Sequence, residues 1–144
     1  MPIPTTRQSI MDVHMGKMPA VNTDHIIDDI SFTVKVVTKA AAYTVLPSQS
    51  GTMFTTSGAT GGVTFTLPAA EDGLVYWFVN AVDGDMKVSA PSAIMIAYNN
   101  AAATTVSFET AAEQIGSGFE IFSDGTKWYS CPFNGLAAAT MTVA

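Results

Sequence analysis

From Phe32 onward the chain is written in short alternating runs. In Val63-Thr64-Phe65-Thr66-Leu67 apolar and hydroxyl side chains alternate strictly, the period-two pattern of a half-buried strand. Phe119-Glu120-Ile121-Phe122 alternates less cleanly. Runs of this kind predict strands at 32–37, 43–46, 52–55, 63–67, 74–82, 85–90, 94–98, 104–108, 119–123 and 126–132. Between them lie Gly, Pro, Asn, Asp and Ser, the residues that turn a backbone for identifiable steric reasons. Asp83-Gly84 and Asp124-Gly125 each stand between two such runs and predict β-hairpins, because type I′ turns need positive φ at both central positions. No extended helical periodicity follows residue 31, so strand-helix-strand units and a parallel sheet are not expected. Ten short strands across residues 32–144 predict an all-β fold, an antiparallel β-sandwich or jelly roll.

Residues 1–31 read differently. They carry Pro2, Pro4 and Pro19, four methionines and both histidines, without period-two alternation. This segment is expected to be an extended N-terminal arm ahead of a β domain at 32–144. Ser9 followed by Asp12 resembles a capping box, and Met11, Met15 and Met18 then share one face of a helix that Gly16 and Pro19 limit to about two turns. So short a helix is unstable alone and would order on docking. Its methionines suit adaptable apolar contacts. Ile10, Met11, Met15, Met18, Ile26 and Ile27 are therefore the candidate partner or subunit contacts of the arm.

Composition turns this outline toward assembly. Charged residues make up 12% of the 144-residue chain and apolar residues 48%, where an average domain has roughly 25% charged residues. A monomer so poor in charge has difficulty covering its own surface, which is the profile of a protein covered by other subunits. The net charge is −6, and Arg7, Lys17, Lys35, Lys39, Lys87 and Lys127 form no cluster. Phosphate neutralisation needs such a cluster, so no nucleic acid is expected as a partner. Cys131 is the only cysteine, which excludes an intrachain disulfide and reads as a small apolar strand residue. The N-terminus has no signal-peptide core, and no apolar run is long enough to span a membrane. Synthesis and retention in a cytoplasm are expected until assembly.

Catalytic chemistry finds few instruments. His14 and His25 both lie in the arm. Asp24, His25, Asp28 and Asp29 form one local cluster of potential ligands without the second pair that a metal site requires. Asp83-Gly84-Asp85 lacks the later bidentate acid of a calcium loop. Gly58-Ala59-Thr60-Gly61-Gly62 lacks the Gly-Lys-Ser/Thr ending of a phosphate loop and reads as a flexible loop into Val63. Glu71, Asp72, Glu109, Glu113 and Glu120 are scattered, and nothing singles out a catalytic pair. No catalytic, metal or cofactor residue is assigned, and an enzyme is not expected.

Aromatic placement is more telling. Tyr76, Trp77 and Phe78 are consecutive, so in a strand they alternate faces, and Trp128 and Tyr129 do the same. These five are the candidate interface aromatics, buried on one side by the core and on the other by a neighbouring subunit or loop. A carbohydrate-stacking platform is the alternative for the same rings.

The stretches Ala42–Val45, Ser50–Phe54, Gly58–Ala70 and Gly73–Val79, followed by Ser123-Asp124-Gly125-Thr126-Lys127-Trp128-Tyr129, resemble small β domains of tailed-phage virion proteins, capsid decoration (cement) proteins in particular. The resemblance covers roughly residues 40–135. It implies a jelly-roll-like, trimeric module that binds by shape and apolar contact, with its own copies and the major capsid protein as partners and the capsid exterior as its location. A chain that begins at its own Met, lacks a fibre shaft and carries an arm favours the capsid. A tail- or fibre-associated adhesion module binding host surface glycan through Trp77 or Trp128 is the alternative.

Overall fold

Twelve strands make up two sheets in the computed structural model, which describes residues 33–108, 115–133 and 141–144. They are β1 (Lys35–Thr38), β2 (Tyr43–Thr44), β3 (Thr52–Thr55), β4 (Val63–Thr66), β5 (Asp72–Val79), β6 (Met86–Ser89), β7 (Met95–Ala97), β8 (Asn100–Ala103), β9 (Thr105–Phe108), β10 (Gly118–Asp124), β11 (Trp128–Pro132) and β12 (Met141–Val143). All lie in one compact unit, Val34–Ala144. The other unit is Met1–Thr33. The arm contacts expected at Ile10, Met11, Met15, Met18, Ile26 and Ile27, and the cluster around His25, lie outside the described residues. The ten predicted strands all coincide with observed ones, and β8 and β12 are additional.

The fold is all-β, but its sheets are mixed rather than antiparallel. The larger runs β1-β3-β5-β10-β11-β7-β8 and the smaller β12-β9-β6-β4-β2. From β1 to β6 the chain alternates between them. Thus β1, β3 and β5 stack in parallel in the larger sheet, and β2, β4 and β6 stack in parallel in the smaller one. A jelly roll needs antiparallel neighbours, and among themselves these six strands pair only in parallel. Parallel pairing requires a crossover, commonly a helix. Here each crossover passes through a strand of the opposite sheet, so no helix is needed. The result is three stacked coils, closed by antiparallel pairs in the second half such as β5–β10, β10–β11 and β6–β9.

Stacked coils align like residues. Val37, Phe54 and Phe78 stand in one ladder, and Tyr43, Phe65 and Val88 in the facing one. Phe54 lies 5.6 Å from Phe78, nearly parallel to it, and 5.8 Å from Phe65 across the core. Phe108 and Phe119 stack at 4.5 Å between the sheets. Tyr76 and Trp128 meet at 6.0 Å, and the Tyr76 hydroxyl donates to the Leu46 carbonyl of the preceding coil at 3.1 Å. Burial, with the charge of Glu71 second, pushes the Tyr76 phenol up to about 12. It therefore remains a donor at all ordinary pH.

The first expected hairpin is a corner. After Val79 the chain leaves the larger sheet and enters the smaller one at Met86, so Asp83-Gly84 joins strands that do not pair. Asn80 organises this corner. It is fully buried, its side-chain Nδ2 donates to the Gly84 carbonyl at 2.8 Å, and its Oδ1 accepts the Thr56 hydroxyl at 2.7 Å. Gly84 is needed for close approach, since a Cβ there would stand 3.1 Å from the Gly61 backbone of the coil below. The Gly61-Gly62 loop is thus packed against the next corner rather than standing apart as a flexible lead-in.

The second expected hairpin is present, with a longer loop. β10 and β11 are antiparallel with Ser123 opposite Trp128. Gly125 has φ +89° while Asp124 is not in the positive-φ region, so the loop is not a two-residue type I′ turn. Asp124 holds it instead. Its carboxylate accepts the backbone N–H groups of Thr126 and Lys127 at 2.8 and 2.7 Å, the Thr126 hydroxyl at 2.8 Å and the Tyr129 hydroxyl at 2.7 Å. These donors, the Lys127 amide foremost, hold the carboxyl well below the usual carboxylate range. A depressed pKa contributes stability above the unfolded-state value, about 4, that is lost as pH falls below it. Asp124→Ala should lower the thermal midpoint by a few degrees at pH 7 and flatten its decline below about pH 4. Thermal melts at pH 2.5, 4 and 7 check this.

The β7–β8 turn has the reverse chemistry. Ala97 pairs with Asn100, leaving Tyr98-Asn99 as a two-residue loop. Tyr98 has φ +50°, alone among the described non-glycine residues in the positive region. The first central position of such a turn favours glycine. For an L-residue the left-handed region costs about 1–2 kcal/mol.

Candidate functional site

Strand alternation gives each sheet an inner and an outer face, and the two outer faces differ in chemistry. On the smaller sheet the register aligns Thr44, Thr66, Ser89 and Thr105 in one row and Thr64, Lys87, Ser107 and Thr142 in the next. These are hydroxyls and one ammonium, and all but the buried Ser107 are at least partly exposed to water.

The larger sheet presents the opposite. One outward row reads Val36, Met53, Trp77, Glu120, Cys131 across five strands. The adjacent row reads Val75, Phe122, Tyr129, Ile96. Val36 is 60% exposed and Phe122 38%. Phe122 and Tyr129 stack face to face at 5.2 Å. With strands about 4.8 Å apart, the first row is about 19 Å wide. Glu120 is the only charge in either row. Phe133, also exposed, extends the patch, its ring over Gly118, where an added Cβ would strike that ring and the Phe78 carbonyl. Contiguous apolar patches of this kind on a folded domain mark contact surfaces.

The aromatics singled out in the sequence separate by face. Trp77 and Tyr129 are partly exposed and stand in these rows. Tyr76, Phe78 and Trp128 are fully buried core residues. They support the face from behind. Trp128 therefore cannot serve as a glycan platform. Its indole Nε1 and the Ser130 hydroxyl are buried without a hydrogen-bond partner among the described residues. Leaving such a group unpaired costs about 1–3 kcal/mol, so the Trp128 ring is held by packing, while its backbone N–H donates to the Ile94 carbonyl at 3.0 Å.

Residues that sequence reasoning missed are Val36, Met53, Val75, Ile96 and Phe122. Each is the outward member of an alternating run, and only the register shows that they adjoin. Cys131 is exposed rather than packed in the core. Among the described residues no three His, Cys, Asp or Glu side chains converge as metal ligands, and no helix is long and apolar enough to cross a membrane. No protein-family model matches this chain, and no curated protein sequence matches it.

Proposed function

We propose that the chain is a non-catalytic structural module of a tailed-phage particle, decorating and stabilising the capsid exterior as a homotrimer. The observation that carries this reading is the apolar outer face of the larger sheet beside a hydroxyl-covered smaller one. Further copies of the same chain are its occupants. Chains of net charge −6 repel at most surfaces, but a face with one carboxylate in nine positions brings little like charge together. Burial there also accounts for the low charge content, since residues covered in an assembly need no solvation.

The phage assignment rests on the resemblance of residues 40–135, and the major capsid protein is the second partner. Residues 1–31 are the segment that grips the shell, through Met11, Met15 and Met18. A trimer that offers three weak grips binds far more tightly than one, because the second and third contacts form at high effective concentration. The test is co-sedimentation of the full chain with mature phage heads. Replacing Met11, Met15 and Met18 together by Ser should abolish co-sedimentation and leave the trimer intact. Undiminished binding would exclude the arm as the grip, and failure of the parent protein to bind heads would overturn the decoration role.

A further inference from the structure

Between Lys87 and Glu109 the chain carries no charged residue. In the middle of that stretch stands Tyr98, 89% exposed, at the tip of the β7–β8 hairpin. Its ring buries almost nothing, and its backbone sits at φ +50°, where glycine would be more comfortable. The turn accounts for the positive φ, but not for a large, exposed aromatic ring at a position that favours glycine. Strained residues that present a side chain to solvent are characteristic of ligand contacts.

The surroundings define the ligand. Asn99 follows Tyr98 in the turn, and Asn100 opens β8 with its Oδ1 accepting the Ala102 amide at 2.9 Å. That bond orients the Asn100 carboxamide and leaves its N–H₂ group facing other partners. Beyond Ser130, the partner of Ala97 on the neighbouring strand β11, the chain continues as Cys131-Pro132-Phe133, all exposed and uncharged. Glu120, the nearest acid in the sheet register, lies two strands away opposite Cys131. Among the described residues the register places no cation beside the tip for a phosphate, sulfate or carboxylate, and no carboxylate beside it for an amine. An aromatic face with carboxamide donors and acceptors fits a ligand with an apolar C–H face and many hydroxyls.

We infer that the Tyr98-Asn99-Asn100 tip is a binding site for neutral glycan, in which a pyranose ring stacks on Tyr98 and its hydroxyls pair with the two carboxamides. One stacked sugar binds weakly, in the millimolar range, and a multimeric particle multiplies it. The inference does not depend on capsid placement, because it rests on the tip alone.

The test is a titration of the ¹⁵N-labelled full chain with lactose, maltose and cellobiose, with sialyllactose as the charged comparison, followed by backbone amide shifts. At least one neutral sugar should shift amides confined to residues 95–103. Tyr98→Gly should abolish those shifts while keeping the parent's dispersed spectrum, since glycine relieves the turn. Tyr98→Trp should retain them. The site is overturned if residues 95–103 stay unmoved by all three neutral sugars, if Tyr98→Gly responds like the parent, or if sialyllactose alone acts. Shifts at the tip that follow protein concentration in place of sugar would assign it to a second copy of the chain, and would equally overturn the glycan site.

Discussion

Phe54→Ala should destabilise the β domain by about 3–5 kcal/mol, the range for a fully buried aromatic truncated to a methyl group. The reason is its position in the coil stack. The ring meets Tyr43 at 5.8 Å and Phe65 at 5.8 Å in the opposite sheet, and Tyr76 at 6.4 Å and Phe78 at 5.6 Å on the next coil. It thus ties the first, second and third coils and both sheets together. Neighbouring rings held by their own strands collapse poorly into the space left behind, so the cavity cost adds to the lost transfer energy. Against a total stability of about 5–15 kcal/mol this is a large fraction. Urea unfolding followed by fluorescence measures it directly. A loss below about 1 kcal/mol would mean that the coils are held by their hydrogen-bond ladders rather than by the aromatic column.

Trp77→Lys, combined with Phe122→Lys, should leave most of that stability in place and disperse the assembly. Both side chains point outward from the larger sheet, and the loss of the Phe122–Tyr129 stack should cost the fold only about 0.5–1.5 kcal/mol. In an interface the same positions are desolvated anchors, whose loss costs about 2–4 kcal/mol each. A lysine there also places an uncompensated charge in each copy. Sedimentation velocity should show the parent as a trimer and the double variant as a monomer with the parent's far-UV spectrum, its melting point lowered only by the lost association and the lost stack. A double variant that remains trimeric would move the interface elsewhere. A parent that is monomeric at high concentration would remove homotrimerisation from the proposal. The two predictions read opposite faces of one sheet: Phe54 and Trp77 occupy adjoining strands, β3 and β5, yet one governs folding and the other association.

Much of this was legible in the sequence. Strand positions were, because alternation such as Val63 to Leu67 expresses burial directly. The Asp124 hairpin was, because its strands are neighbours in sequence and a single carboxylate closes the loop. The separation of Trp77 from Tyr76 and Phe78 was also readable, since period two holds in any sheet. The coil repeat was harder to see. Aligned residues Val37, Phe54 and Phe78 are separated by 17 and 24 residues, and Tyr43, Phe65 and Val88 by 22 and 23. A drifting period of this kind hides a stack that a regular repeat would announce.

By itself the sequence determined what each residue can tolerate: which positions alternate, where the backbone turns, how little charge the surface has, and that His, Lys and Arg are scarce outside the arm. Tertiary structure alone decided which strands are neighbours. Asp83-Gly84 is equally compatible with a hairpin and with a corner between sheets. Asn80, bridging Thr56 and the Gly84 carbonyl, together with the β4–β6 pairing, selects the corner. The same decision created the candidate face, because Val36, Met53, Trp77, Phe122 and Tyr129 come from four coils or hairpins far apart in the chain. Local chemistry sets the direction of each side chain. Long-range hydrogen-bond register sets its company, and an interaction surface is made of company.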